Sequence, residues 1–276
     1  MTNASAPNGG GRLAGRSILI TGGARGQGEQ EARRFAAEGA QLLITDVLDD
    51  QGEAVAKELG ARYRHLDVSD EAQWQAAVSA AVSAYGKLDG LVNNAGILRL
   101  NALTDTPLAE YQQVITVNQV GCFLGMKTAA PAITEAGGGT VVNTASYTAH
   151  AGMALTTAYA ASKGAILAMT RVAALELAPS GIRVNAMCPG AVDTPMTNPS
   201  QVTIGSTGET LGDASDAAAM DEAVRELYGR VVPLGRIGRP QEVADLALFL
   251  SSAESSYVTG QPFVIDGGWL CGVSIF

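Results

Sequence analysis

The stretch Thr21-Gly22-Gly23-Ala24-Arg25-Gly26-Gln27-Gly28 constrains the fold of this chain more than any other. A short apolar run over residues 17–20 precedes it. A helical pattern over residues 29–38 follows, with Ala32, Phe35 and Ala36 at helical spacing and Gly39 as the stop. A strand that turns through glycines straight into a helix aims the helix N-terminus, with its free N–H groups and partial positive charge, at an anion. Gly22 permits the tight turn, Gly26 lets backbone approach a pyrophosphate, and Gly28 lets the helix pack closely on the strand. Arg25 and Gln27 count with them as candidate cofactor-binding residues. The spacing is G-x-x-x-G-x-G rather than G-x-G-x-x-G, and the absence of a G-K-[ST] ending argues against an ATP-hydrolysing loop.

A second apolar run over residues 41–45 ends in Asp46, 18 positions past Gly28. A carboxylate there can accept hydrogen bonds from adenosine ribose hydroxyls and repel a 2′-phosphate, so the expected cofactor is NAD rather than NADP. Arg25 argues the other way, because a basic loop residue suits a 2′-phosphate; the direct repulsion from Asp46 carries more weight.

Further strand-like runs fall at residues 63–66, 88–92, 140–145, 183–187 and 262–265, with helical stretches between them. Such alternation predicts an α/β fold: a doubly wound parallel sheet of about seven strands, helices on both faces, and ligand at the strand C-termini. With 276 residues, 47% of them hydrophobic, one sizeable domain is expected over residues 14–276, behind a disordered tail at 1–13. A net charge of −9 disfavours nucleic acid or an anionic membrane surface as partner. Three cysteines (Cys122, Cys188 and Cys271) sit in apolar surroundings and read as buried reduced thiols in a cytoplasmic protein. Two histidines, His65 and His150, leave little for a His-based metal site, and no metal is expected. No signal peptide or membrane-length apolar run is visible.

Tyr159 and Lys163 lie four residues apart in a helical stretch of small residues, and Ser146 stands 13 residues upstream at the end of a strand. Positions i and i+4 share a helix face. A free phenol titrates near pH ~10, too high for an efficient base at neutral pH. An ammonium ~4 Å away at an effective dielectric of ~20 contributes about 4 kcal/mol. That lowers a phenol pKa by roughly 3, so Lys163 is expected to bring Tyr159 into the working range.

With these residues in hand, the chain resembles the short-chain dehydrogenase/reductase family, single-domain type, over about residues 15–268. The resemblance implies a catalytic set of Asn118, Ser146, Tyr159 and Lys163. Cofactor contacts are implied at Gly22, Gly26, Gly28 and Asp46, at Asp67 and Val68 beside the adenine, and at Asn94, Ala95 and Gly96 of the Asn93-Asn94-Ala95-Gly96 turn. Tyr159, Lys163, Pro189, Gly190, Val192 and Thr194 would complete the cofactor site, with Thr194 at the nicotinamide carboxamide. The Tyr257-Val258-Thr259-Gly260 and Asp266-Gly267-Gly268 motifs agree with the same pattern. Outside that context Asn118 and Thr194 each read as helix-start caps.

The family implies hydride transfer between nicotinamide and a secondary alcohol or ketone. Tyr159 would exchange the proton, Ser146 would fix the substrate oxygen, and Asn118 would hold a water linking Lys163 to solvent. Tyr147, His150, Met153 and Met196 are candidate pocket residues, mostly apolar, favouring a hydrophobic cyclic, aromatic or steroid-like substrate. The polar stretch at about 191–230 reads as a substrate lid with a short helix at 221–228. Helical stretches 118–133 and 158–178, apolar on more than one stripe, and the apolar C-terminus 269–276 suit a homotetramer. The competing expectations are an NADP-dependent 3-oxoacyl-thioester reductase and a non-enzymatic NAD-sensing protein.

Overall fold

The computed structural model describes residues 10–197, 203–204, 209–210 and 217–272. Seven parallel strands form one sheet: β1 (Ser17–Thr21), β2 (Gln41–Asp46), β3 (Arg62–His65), β4 (Gly90–Asn93), β5 (Gly139–Thr144), β6 (Ile182–Pro189) and, after the short antiparallel pair β7 (Thr203–Ile204) and β8 (Glu209–Thr210), β9 (Pro262–Ile265). The spatial order is β3-β2-β1-β4-β5-β6-β9. It reverses direction between β1 and β4, where the crevice for a ligand opens at the strand C-termini. All sequence-expected strands are present, with ends shifted by two residues at most.

Side-chain alternation explains why both faces are covered. Ile18, Ile20, Leu42, Ile44, Val92 and Val142 point to one face, where they meet helices α1 (Gly26–Ala37), α2 (Asp49–Leu59) and α8 (Pro240–Ser251). Leu19, Leu43, Leu91 and Val141 point to the other, against α3 (Glu71–Tyr85), α5 (Gly121–Glu135) and α6 (Thr157–Leu177). Strands buried on both faces read as continuous apolar runs, which made them visible in the sequence. Among the described residues no helix is long and apolar enough to cross a membrane.

Four expectations need correction. Leu13, placed in the expected disordered tail, is fully buried in the α1/α8 core and its N–H donates to Glu38 O at 3.0 Å, while residues 1–9 lie outside the described residues. The helix expected from residue 118 starts ten residues earlier, as α4 (Leu108–Val114), and passes through a π turn, Ile115–Val120, into α5. The short helix in the lid is longer, α7 (Ala217–Val231), while residues 198–202, 205–208 and 211–216 of the lid lie outside the described residues. Cys122 and Cys188 are buried free thiols as expected, but Cys271 is exposed.

One buried group opposes folding. Glu31 of α1 is fully buried, and among the described residues neither of its carboxyl oxygens has a hydrogen-bond partner. Desolvation pushes its pKa up to about 8, from an ordinary value near 4.5. The folded state therefore holds this proton more tightly than the unfolded chain. Stability falls as pH rises from about 4.5 to about 8, and the full penalty applies above that. Glu31→Gln should raise the thermal midpoint little at pH 5 and by several degrees at pH 9, in scans across that range. Parallel midpoint curves for the two proteins would contradict this.

Candidate active site

The glycine turn behaves as its spacing predicts. Gly22 has φ +66° and Gly26 φ +62°, both in the left-handed region that favours glycine. A Cβ on Gly28 would lie 2.2 Å from Gly22 O and 2.5 Å from Asn94 Nδ2, so only glycine lets α1 start this close to β1. The turn is tied to the one after β4: Thr21 Oγ1 accepts the N–H groups of Asn94 and Ala95, both at 3.1 Å, and Asn94 Nδ2 donates to Thr21 O and Gly22 O. The two loops flanking the reversal of strand order are thus one braced unit. Arg25 is exposed and Gln27 half-buried at its rim.

Asp46 is buried at the end of β2. One carboxylate oxygen accepts Ala24 N–H at 3.0 Å, pinning the glycine turn; the other accepts Val47 and Leu48 N–H. A carboxylate has about four acceptor positions, so one remains on the oxygen that holds Ala24. On the same side Trp74, fully buried, donates from Nε1 to Val68 O, and Asp67 accepts the N–H and hydroxyl of Ser69. The segment after β6 closes the other side. Gly190 N donates to Ile265 O, Val192 is buried, and Thr194 Cβ would lie 3.6 Å from a Cβ on Gly26. These residues fit a dinucleotide: a glycine cradle on a helix N-terminus, an acidic group with a spare acceptor, and loops converging from β1, β4 and β6.

Lys163 is 3% exposed, and its ammonium donates to Thr144 O at 2.7 Å. Burial lowers its pKa to about 8, with Cys122 and Cys188 acting weakly the other way. Nζ lies 5.5 Å from the centroid of the Tyr159 ring and 3.5 Å from where a Cβ on Gly96 would sit. Ser146, buried after β5, accepts Thr148 N–H on Oγ and pulls the Tyr159 pKa down by hydrogen bonding. That pull is not enough. Burial dominates and pushes the phenol up to about 12.

Asn118 is 1% exposed in the π turn, not at a helix start. Its Oδ1 accepts Ile97 N–H at 2.8 Å, and its Nδ2 donates to Ile97 O and Ser162 Oγ. The amide's donors are used to clamp the loop after β4 onto α6, which leaves one acceptor position on Oδ1 for a water. A small cavity lined by Thr21, Val68, Ala95, Asn118 and Thr144 lies here, and Thr144 Oγ1 has no partner among the described residues.

Of the expected pocket residues, Tyr147 is buried and donates to Met153 Sδ at 2.8 Å, and Met196 is half-buried. His150 is exposed. Leu155, in the same wall, has φ +69°, a conformation costing about 1–3 kcal/mol for a non-glycine residue. Its carbonyl accepts Asn101 N–H at 2.9 Å, tying the wall to the loop after β4. Two residues that sequence reasoning missed join this wall, Tyr228 of α7 and Trp269 after β9: Trp269 stacks on Tyr147, with ring centroids 4.5 Å apart, and meets Tyr228 edge-on at 5.7 Å. Trp269 belongs to the C-terminal stretch expected to suit a subunit contact, and within the chain it packs on Tyr147 and Tyr228. Among the described residues no cluster of His, Cys, Asp or Glu could hold a metal ion.

Comparison with known proteins agrees with this geometry. A family model described as enoyl-(acyl carrier protein) reductase matches residues 22–270. The 3-alpha-(or 20-beta)-hydroxysteroid dehydrogenase of Mycobacterium tuberculosis is 43% identical over 96% of this chain and 93% of its own length. The trans-4-hydroxycyclohexanecarboxylate dehydrogenase of Sinomonas cyclohexanicum is 39% identical, with 95% of each chain covered. A crystal structure of levodione reductase superposes with a TM-score of 0.83 at 36% identity, covering 95% of this chain and all of the other. The chain belongs to the short-chain dehydrogenase/reductase family, oxidoreductases that use a nicotinamide cofactor and act on CH–OH groups.

Proposed function

We propose that this enzyme interconverts a hydrophobic cyclic secondary alcohol, of the monocyclic or steroid type, and its ketone with NAD(H). The observation that carries this reading is the convergence of Ser146, Tyr159 and Lys163 at the C-terminal ends of β4 and β5, beside a dinucleotide cradle. When bound, the cofactor supplies or accepts the hydride. Ser146 fixes the substrate oxygen and Tyr159 exchanges its proton. Lys163, held by Thr144 O, keeps positive charge near the phenol and is placed for the nicotinamide ribose. Asn118 positions α6 against the loop after β4 and leaves one acceptor for a relay water. Relatives named for hydroxysteroids and for a hydroxycyclohexanecarboxylate support a ring substrate.

Tyr159→Phe should abolish nearly all turnover of cyclic secondary alcohols while NADH binding, followed by nucleotide fluorescence, stays within a few-fold of wild type. Retained turnover would remove Tyr159 from proton transfer.

The preference for NAD rests on Asp46, which keeps an acceptor for a ribose hydroxyl and repels a 2′-phosphate. Wild type should bind NADH at least about tenfold tighter than NADPH, and Asp46→Asn should narrow that ratio. Tighter NADPH binding by wild type would favour the second reading, an NADP-dependent reductase of acyl thioesters. That reading is supported by exposed Arg25 beside the cradle and by the family model's description.

The same reading includes assembly as a homotetramer in the cytoplasm. Phe123 of α5 and Val172 and Leu175 of α6 are exposed apolar residues on two long helices, and Tyr257 and Val264 are exposed at the β9 edge. A second copy of the chain covering each face would bury them.

A further inference from the structure

We infer that Tyr147, Tyr228 and Trp269 form an aromatic subsite that holds the ring of the substrate and sets the preference for rigid, uncharged ring compounds over open-chain ones. This rests on the proposed alcohol–ketone chemistry and adds the residues that choose among its substrates. The three rings come from distant segments: the 3-10 turn Tyr147–Ala149 that follows Ser146, helix α7, and the 3-10 turn Trp269–Cys271 after β9.

The turn carrying Trp269 is rigidly built. The Asp266 carboxylate accepts Gly268 N–H at 2.8 Å and Leu270 N–H at 2.7 Å. Gly267 and Gly268 have φ +66° and +91°, and a Cβ on Gly267 would lie 2.5 Å from Val232 Cγ1. Leu234 N–H donates to Gly267 O. The C-terminal turn and the segment leaving α7 are therefore locked together, which holds Trp269 against Tyr228 of α7.

Placement against the reacting groups is direct. Tyr147 neighbours Ser146 in the chain, at the start of the turn that Ser146 caps through Thr148 N–H. Tyr147 is buried, whereas Tyr228 and Trp269 keep part of their surface accessible. An apolar aromatic surface thus begins beside the catalytic hydroxyl and runs outward. A carbon skeleton whose oxygen reaches Ser146 and Tyr159 must lie against it. Ring C–H edges or a flat ring face gain contact there that a short open chain cannot make.

The test compares wild type, Trp269→Ala, Trp269→Phe and Tyr228→Ala on cyclohexanol, a hydroxysteroid and propan-2-ol. Trp269→Ala and Tyr228→Ala should lower kcat/KM for the ring alcohols by roughly 10- to 100-fold, leave propan-2-ol within about threefold, and leave NADH affinity unchanged; Trp269→Phe should recover most of the loss. Equal losses on ring and open-chain substrates, or no loss on either, would overturn the subsite. Binding gives an independent readout, because the chain has two tryptophans and Trp74 is buried in the core. Adding a ring ketone should change tryptophan emission in wild type and not in Trp269→Phe; equal changes in both would overturn the inference. Wild type that binds the ketone at Trp269 but turns over none of the alcohols would instead refute the proposed reaction and leave the subsite standing.

Discussion

A buried ammonium must be paired, and the pairing of Lys163 with Thr144 O is the constraint on which the site depends. Thr144 ends β5, and Lys163 lies one turn beyond Tyr159 on α6. Anchoring the amine on the strand end therefore fixes the rotation of α6 and directs the Tyr159 ring toward Ser146. Asn118 secures the same helix from the other side through Ser162 and Ile97. Loss of the strand carbonyl, the π turn or the small residue Gly96 would each misplace the phenol.

Electrostatics inside this arrangement are set more by desolvation than by charge pairing. Burial moves the phenol up to about 12 and the amine down to about 8, both toward their neutral forms. Nζ lies over the Tyr159 ring at 5.5 Å from its centroid, on the same face of α6 as the phenol.

Much of this was legible in the chain, for reasons particular residues make plain. The strands are parallel and buried on both faces, so runs such as residues 41–45 stand out as uninterrupted apolar segments. Gly22 and Gly28 mark a turn that no side chain fits, and Asp46 closes the strand beside it. What escaped was non-local. Nothing near Asn118 signals a π turn, and the burial that raises the Tyr159 pKa cannot be seen in a Tyr-x-x-x-Lys spacing. Trp269 reads in the sequence as part of an apolar C-terminus suited to a subunit contact; the Asp266-capped turn, set close to Val232, is what directs it onto Tyr147. Leu13 belongs to the core because α1 and α8 leave room for it, which a glycine-rich flank conceals.

A crystal structure of the enzyme with NADH tests the account at its centre. The account predicts the pyrophosphate on the α1 N-terminus, a ribose hydroxyl on Asp46, and the nicotinamide between Thr194 and the Tyr159 hydroxyl, with Lys163 on its ribose. A dinucleotide bound with Tyr159 and Lys163 facing away from the nicotinamide would contradict it.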